Sequence, residues 1–108
     1  MINAYMVDNV TIHAYNGADQ WGEPVAATQR KVKAYVVFET RMVRTLTGED
    51  AVSPVHVYLH LRNVEKVVGR ALQHQDRIEI EGDGNIRPIM HIATKKAFSS
   101  PHYEVDLA

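Results

Sequence analysis

The segment Val55-His56-Val57-Tyr58-Leu59-His60-Leu61 alternates without a break between aliphatic residues and polar or aromatic ones. A period of two is the spacing of a strand with one buried face, because successive side chains leave opposite sides of the backbone. Val55, Val57, Leu59 and Leu61 are expected inside, with His56, Tyr58 and His60 outside. The same pattern fills Val32 to Phe38, placing Val32, Ala34, Val36 and Phe38 inward. Two such segments predict a long antiparallel hairpin. Between them, Arg41 to Pro54 is too long for a tight turn and too apolar for an idle surface loop. Thr47-Gly48-Glu49-Asp50 is a turn signal, flanked by Met42, Val43, Leu46, Ala51 and Val52. The first strand's alternation continues through Met42 and Arg44 toward Leu46, so it is expected to run beyond the body of the domain as a hairpin arm. Pro54 cannot donate to a ladder and belongs on an edge or bulge beside that arm.

Other strands surround this pair. Val10, Ile12 and Ala14 alternate with Thr11, His13 and Tyr15, after which Asn16 to Pro24 carries the Asn-Gly, Gly and Pro punctuation of a loop. Ile78 and Ile80 precede the Gly82-Asp83-Gly84-Asn85 turn, and Ile86, Ile89 and Ile92 follow it, with Pro88 shifting the phase of the second strand. The last segment alternates Tyr103, Val105 and Leu107 with His102, Glu104 and Asp106. Asn63 to Leu72 reads either as a short helix capped by Asn63 or as a loop with a short strand, since Gly69 costs a helix about 1 kcal/mol relative to Ala. About six antiparallel strands with at most one short helix predict an all-β fold, a small barrel or sandwich.

With 108 residues the chain is expected to be one domain, 1–108, with 41–54 as its protruding arm. Its 45% hydrophobic content is that of a globular protein. No apolar run reaches the length of a membrane helix, and the N-terminus has no signal-peptide pattern. The absence of cysteine excludes disulfides, a thiol nucleophile and a Cys-based zinc site, and fits folding in a reducing cytoplasm. The net charge of −1, with basic residues scattered among acids, argues against a dedicated duplex-DNA binder. Lys31 and Lys33 read as a solvated face.

Nothing in the sequence assembles a catalytic site. His56 and His60 have the spacing of two ligands on a helix, but on a strand residues four apart are about 13 Å distant, too far for one ion. Ser53, Ser99 and Ser100 fall in loops without the strained turn of a nucleophile elbow. Glu79 and Glu81 read as solvated groups rather than a carboxylate pair that splits its ionisation. The protein is therefore expected to be no enzyme, with no cofactor, metal or catalytic residue. Tyr15, Trp21, Tyr35, Tyr58 and Tyr103 suit ordinary half-buried strand positions and Phe38 the core. A base-stacking platform on Tyr35 or Tyr58 is the alternative.

Three motifs in order resemble the head-closure, or stopper, proteins that join heads to tails in tailed bacteriophages. YNGADQWGEPV is similar to that family's Tyr…Asp-x-x-Gly-x-Pro-Val pattern, QDRIEIEG to its Asp-Arg/Lys-Ile…Gly strand, and PHYEVDLA to its closing His-Tyr-Glu-Val strand. The likeness runs from Val10 to Leu107 and departs at LRNVEKVVGRALQ, which is richer in helical spacing. It implies a virion structural protein, made in the host cytoplasm and placed at the head–tail interface. There it would form a homo-oligomeric ring, a dodecamer or alternatively a hexamer, below the portal. Its partners would be the portal or adaptor on the head side, the tail terminator or tail tube on the other, and genomic double-stranded DNA in the lumen. Such a ring closes the filled head and offers the tail its attachment surface.

On this resemblance Arg41, Met42, Val43, Arg44, Leu46, Gly48, Glu49 and Asp50 form the channel or gating arm, with Arg41 and Arg44 nearest DNA. Asn16, Asp19, Trp21 and Glu23 are candidate contacts with neighbouring rings. The residues themselves accommodate this: ordering an arm costs about 1–2 kcal/mol of backbone entropy per residue, which neighbouring copies would offset by pairing its edges. A few basic groups per copy also become a charged annulus in a ring. A single-stranded nucleic-acid-binding barrel and a tail-completion protein are the alternatives.

Overall fold

The computed structural model describes residues 8–17, 21, 28–45, 47–95 and 101–108. In chain order these give β1 (Asp8–Ala14), β2 (Thr28–Val37), β3 (Arg41–Arg44), β4 (Asp50–Ser53), β5 (Val55–His60), α1 (Leu61–Val68), β6 (Arg77–Ile80), β7 (Ile86–Lys95) and β8 (His102–Leu107). Six strands close into an antiparallel barrel in the order β1-β2-β5-β8-β7-β6, and β3 with β4 forms a separate two-stranded ribbon. The fold is all-β with one short helix. Among the described residues, closure leaves open sheet edges on the ribbon and none on the barrel.

The period of two fixes which residues fill the barrel. Val10, Ile12, Val32, Ala34, Val55, Val57, Leu59, Ile78, Ile80, Ile89, Tyr103, Val105 and Leu107 share one buried cluster. Each fully buried aliphatic side chain contributes about 1.5–3 kcal/mol relative to an exposed one, so the wall strands are held chiefly through this interior. β2 and β5 pair antiparallel as expected, with Tyr35 opposite Tyr58 and Val36 opposite Val57. On its far side β5 pairs with β8, setting Val57 against Val105 and His56 against Asp106. The phase shift of β7 falls between Ile89 and His91, where the register with β8 slips, just beyond Pro88.

Several expectations need correction. Phe38 is 65% exposed rather than inward. The wall strand ends at Val37 and residues 38–40 leave the barrel before β3 begins, so no interior remains for the ring to enter. The arm is thus a second ribbon, not an unbroken continuation of β2. The ambiguous segment is a helix, and it starts two residues before the expected cap, placing Asn63 inside it. β5 runs directly into α1, and the Leu61 amide donates to the Pro101 carbonyl at 3.1 Å, a tertiary substitute for a capping side chain. Leu61 consequently belongs to the helix, where it still packs against the core alongside Val64, Val67 and Val68. Gly69 terminates the helix instead of weakening it: at φ 86° it occupies the left-handed region, and its amide donates to the Glu65 carbonyl.

Candidate functional site

The arm is built on four cross-strand pairs: Arg41 with Ser53, Met42 with Val52, Val43 with Ala51, and Arg44 with Asp50. Its tip closes through Thr45 N–H to the Glu49 carbonyl at 2.9 Å and Gly48 N–H to the Thr45 carbonyl at 3.0 Å. Gly48 sits at φ 84°, a conformation that strains residues with a side chain, which is why the turn carries glycine there. Alternation gives the ribbon two unlike faces. Met42 and Val52 lie side by side on the outer one, 67% and 54% exposed, with Arg44 and Asp50 next to them. The Arg44 guanidinium is 3.6 Å from the Asp50 carboxylate. Arg41, Val43, Ala51 and Ser53 form the inner face, which is half-buried to buried.

That inner face overhangs the outer wall of its own barrel. A cleft of about 330 Å³ separates the two, lined by Arg41, Val43 and part of Met42 from the arm and by residues including His56, Tyr58, His91 and Asp106 from the wall. The arm therefore leans on β7 and β8 at its base and presents apolar side chains to solvent on its outer side.

Three groups fasten the root. Ser53 is fully buried, and its hydroxyl donates to the Leu107 carbonyl at 2.6 Å, with the Val55 carbonyl at 3.1 Å. It is thus a buried strand-end residue, not the loop serine expected. Arg41 donates to the Glu39 carboxylate at 3.1 Å and to the Tyr58 hydroxyl at 3.4 Å. The Arg41 hydrogen bond and charge hold the Glu39 carboxyl below the usual carboxylate range, while Tyr58 and Glu39 raise the guanidinium. Arg41 is therefore engaged at the root, whereas Arg44 stands farther out along the ribbon. Finally, His56 is 2% exposed, with Nδ1 in hydrogen-bond contact with Asp106 Oδ1 and Nε2 2.8 Å from the Glu39 carbonyl. The strand alternation had placed His56 outside; it does point away from the core, but the arm's root covers it.

The remaining predicted contacts are less gathered. Asn16 donates to the Thr28 hydroxyl at 2.8 Å, bridging the end of β1 and the start of β2. Trp21 is 78% exposed. Asp19, Glu23 and Leu46 lie outside the described residues, as do Ser99 and Ser100. His13 is buried and pairs with Glu79 at 3.0 Å, and Glu81 accepts from Asn9 at 2.7 Å; Glu81 is exposed as expected, and the Glu79 side chain is partly so. Among the described residues no group of three or more His, Cys, Asp or Glu side chains is placed to hold a metal ion.

Sequence reasoning missed a second polar knot at the opposite end of the barrel. Asp76 is fully buried and receives two hydrogen bonds from Arg70, at 2.7 and 2.9 Å, plus the amides of Gln73 and Tyr15, each at 2.8 Å. Burial alone would raise its pKa, but the Arg70 guanidinium and the two amides together hold the carboxyl below its ordinary value. The only sequence signal was an acid directly before the β6 alternation. No family model matches the chain, and no curated protein matches it.

Proposed function

We propose that this protein is a ring-forming structural subunit of a phage head–tail connector, seated below the portal, where it closes the DNA-filled head and presents a surface to the tail. The observation that carries the reading is the outer face of the arm. Met42 and Val52 expose adjacent apolar groups on a four-pair ribbon that, among the described residues, pairs with no other strand. An isolated two-stranded ribbon is marginal in water, and its free edges and apolar face are suited to a neighbouring copy. Repetition around a ring supplies such a neighbour to every arm without any change in the protomer. The three ordered sequence motifs supply the particular assembly. Arg44, carried outward beside Met42, is the arm's basic group for the DNA passage, and its pairing with Asp50 suits a conduit through which DNA slides rather than a tight grip on phosphate.

Deleting Thr45 to Ala51 tests the role. Particles assembled with the shortened chain are expected to leak DNA or fail to join tails, while the isolated protomer keeps its barrel. Normal DNA retention and normal tail joining would remove the arm from the function. A single-stranded nucleic-acid reading has one observation in its favour: the Tyr35 and Tyr58 rings lie 5.7 Å apart on the outer wall, with Lys31 and Lys33 exposed on the same strand. Salt-dependent binding of an oligonucleotide by the monomer, lost in Tyr35→Ala, would favour it instead.

A further inference from the structure

His56 poses a proton-counting problem. Its two ring nitrogens face a carboxylate oxygen of Asp106 and the backbone carbonyl oxygen of Glu39. Both partners accept hydrogen bonds, and a neutral imidazole has only one N–H to donate. The arrangement is satisfied when both nitrogens carry protons, or when Asp106 holds the second proton and donates it to Nδ1. In either case the pair contains one proton more than a neutral histidine beside an ionised aspartate.

Removing that proton has an asymmetric result. The remaining N–H is better placed on Nδ1, because a hydrogen bond to a carboxylate is about twice as strong as one to a neutral carbonyl. Nε2 then turns a lone pair toward the Glu39 carbonyl at 2.8 Å. The contact that fails is the one to residues 38–40, the short connection from which the arm springs, whereas the β5–β8 contact persists. The geometry points to a proton-operated latch: protonated His56 fastens the root of the arm to the barrel wall, and loss of the proton lets the ribbon swing away from the cleft.

The surrounding charges frame this device. From β8, Asp106 faces His56 directly; from β7, His91 Nδ1 approaches the other Asp106 oxygen at 3.6 Å. Arg41 of β3 is committed to the Glu39 side chain and the Tyr58 hydroxyl. At the far margin of the cleft, Lys95 and His102 both approach Glu104, at 4.0 and 3.6 Å. His56 and Arg41 both bridge the wall and the arm's connection, and of the two only the histidine carries a charge that a single exchangeable proton decides. The latch does not depend on the connector reading: it concerns how one protomer holds its own arm.

The test uses the full chain, labelled with ¹⁵N, from about pH 5 to about pH 9, the range that brackets histidine chemistry. Imidazole ¹⁵N spectra report the protons on His56, and amide exchange, corrected for its intrinsic pH dependence, reports the ribbon. Both His56 nitrogens are expected to carry protons, or Nδ1 to share one with Asp106, at the acidic end. Across the His56 transition, protection of the β3 and β4 amides should fall about fivefold, the equivalent of one hydrogen bond, while β1 and β6 are unchanged. In His56→Gln, whose side-chain amide donates at every pH, the ribbon's protection should be flat. His91→Asn should keep the transition. A neutral His56 at the acidic end, or a His56 transition with no change in the ribbon, overturns the latch. So does a ribbon transition that vanishes with His91 alone. If His56→Gln does not fold, the wild-type spectra and exchange decide by themselves.

Discussion

The two ends of the barrel are each tied by an aspartate, Asp76 in the connection before β6 and Asp106 near the end of β8, and the two ties differ in what holds the acid. At one end Asp76 is met by Arg70, a permanently charged fork that fits a carboxylate with two parallel hydrogen bonds. At the other, Asp106 is met by His56, whose charge depends on a single proton. The first tie links the α1–β6 connection to the end of β1, all of it barrel. The second links the barrel to the arm. A fixed cation thus ties one part of the barrel to another, and a titratable side chain ties the barrel to the part that projects. Burial sharpens the contrast: Asp76 is inaccessible, whereas the Asp106 side chain retains 20% exposure and a second histidine nearby.

Substitution at Asp76 should have the greatest effect on stability. Asp76→Ala removes one member of a buried pair and leaves the Gln73 and Tyr15 amides unmatched, which should cost about 3–5 kcal/mol. Urea unfolding with an unchanged slope would measure it; a loss under about 1 kcal/mol would show that the knot is ornamental. Acid should reach the same group more gradually. The Asp76 carboxyl is depressed in the folded state, so its stabilisation is complete above about pH 5, where an unfolded aspartate is almost wholly ionised. It disappears as pH falls through the lower folded value. The Asp76→Asn variant should show a flatter acid limb than the natural protein, a difference that thermal melts at a series of low pH values would reveal.

Smaller is the effect at the arm's root. Ser53→Ala leaves the buried Leu107 carbonyl without its 2.6 Å donor and should cost about 1–2 kcal/mol. Loss of amide protection should concentrate in β4 and the end of β8. Equal loss throughout the barrel would mean that Ser53 belongs to the body rather than to the hinge. Smallest of all is the outer face: Met42→Thr with Val52→Thr should move the isolated protomer's stability by no more than about 0.5 kcal/mol, since both side chains already stand in water.

Much of the barrel was legible because its signal is local. Val55 to Leu59, Ile78 with Ile80, and Tyr103 to Leu107 each announce a half-buried strand within a few residues, and the Gly82–Asn85 turn joins β6 to β7 as expected. What failed depended on where a strand meets the rim. Phe38 keeps the alternation of β2 but lies one residue past the wall, and periodicity cannot say where a barrel ends. The start of α1 was misplaced because a carbonyl from Pro101, forty residues away, does the work expected of a capping side chain.

The arm itself was visible as an apolar insertion between two strands, but its lean toward the wall was not. Both polar knots were hidden for a common reason. His56 meets Asp106 only because β8 is the neighbour of β5 around the barrel, and alternation says nothing of which strands are neighbours. Arg70 and Asp76 lie close in sequence, yet their burial comes from the end of β1 closing over them.

On the proposed reading, another copy of the chain covers the outer face of the arm, so the surroundings of Met42 change on assembly. Because the natural sequence contains no cysteine, Met42→Cys provides a single thiol on that face. Its reaction with a maleimide is compared between the isolated protomer and intact particles containing the variant. Labelling of the protomer should be rapid and labelling in the particle at least about tenfold slower, as expected for a side chain moved from water into a packed contact. Equal rates in the two states would contradict that reading.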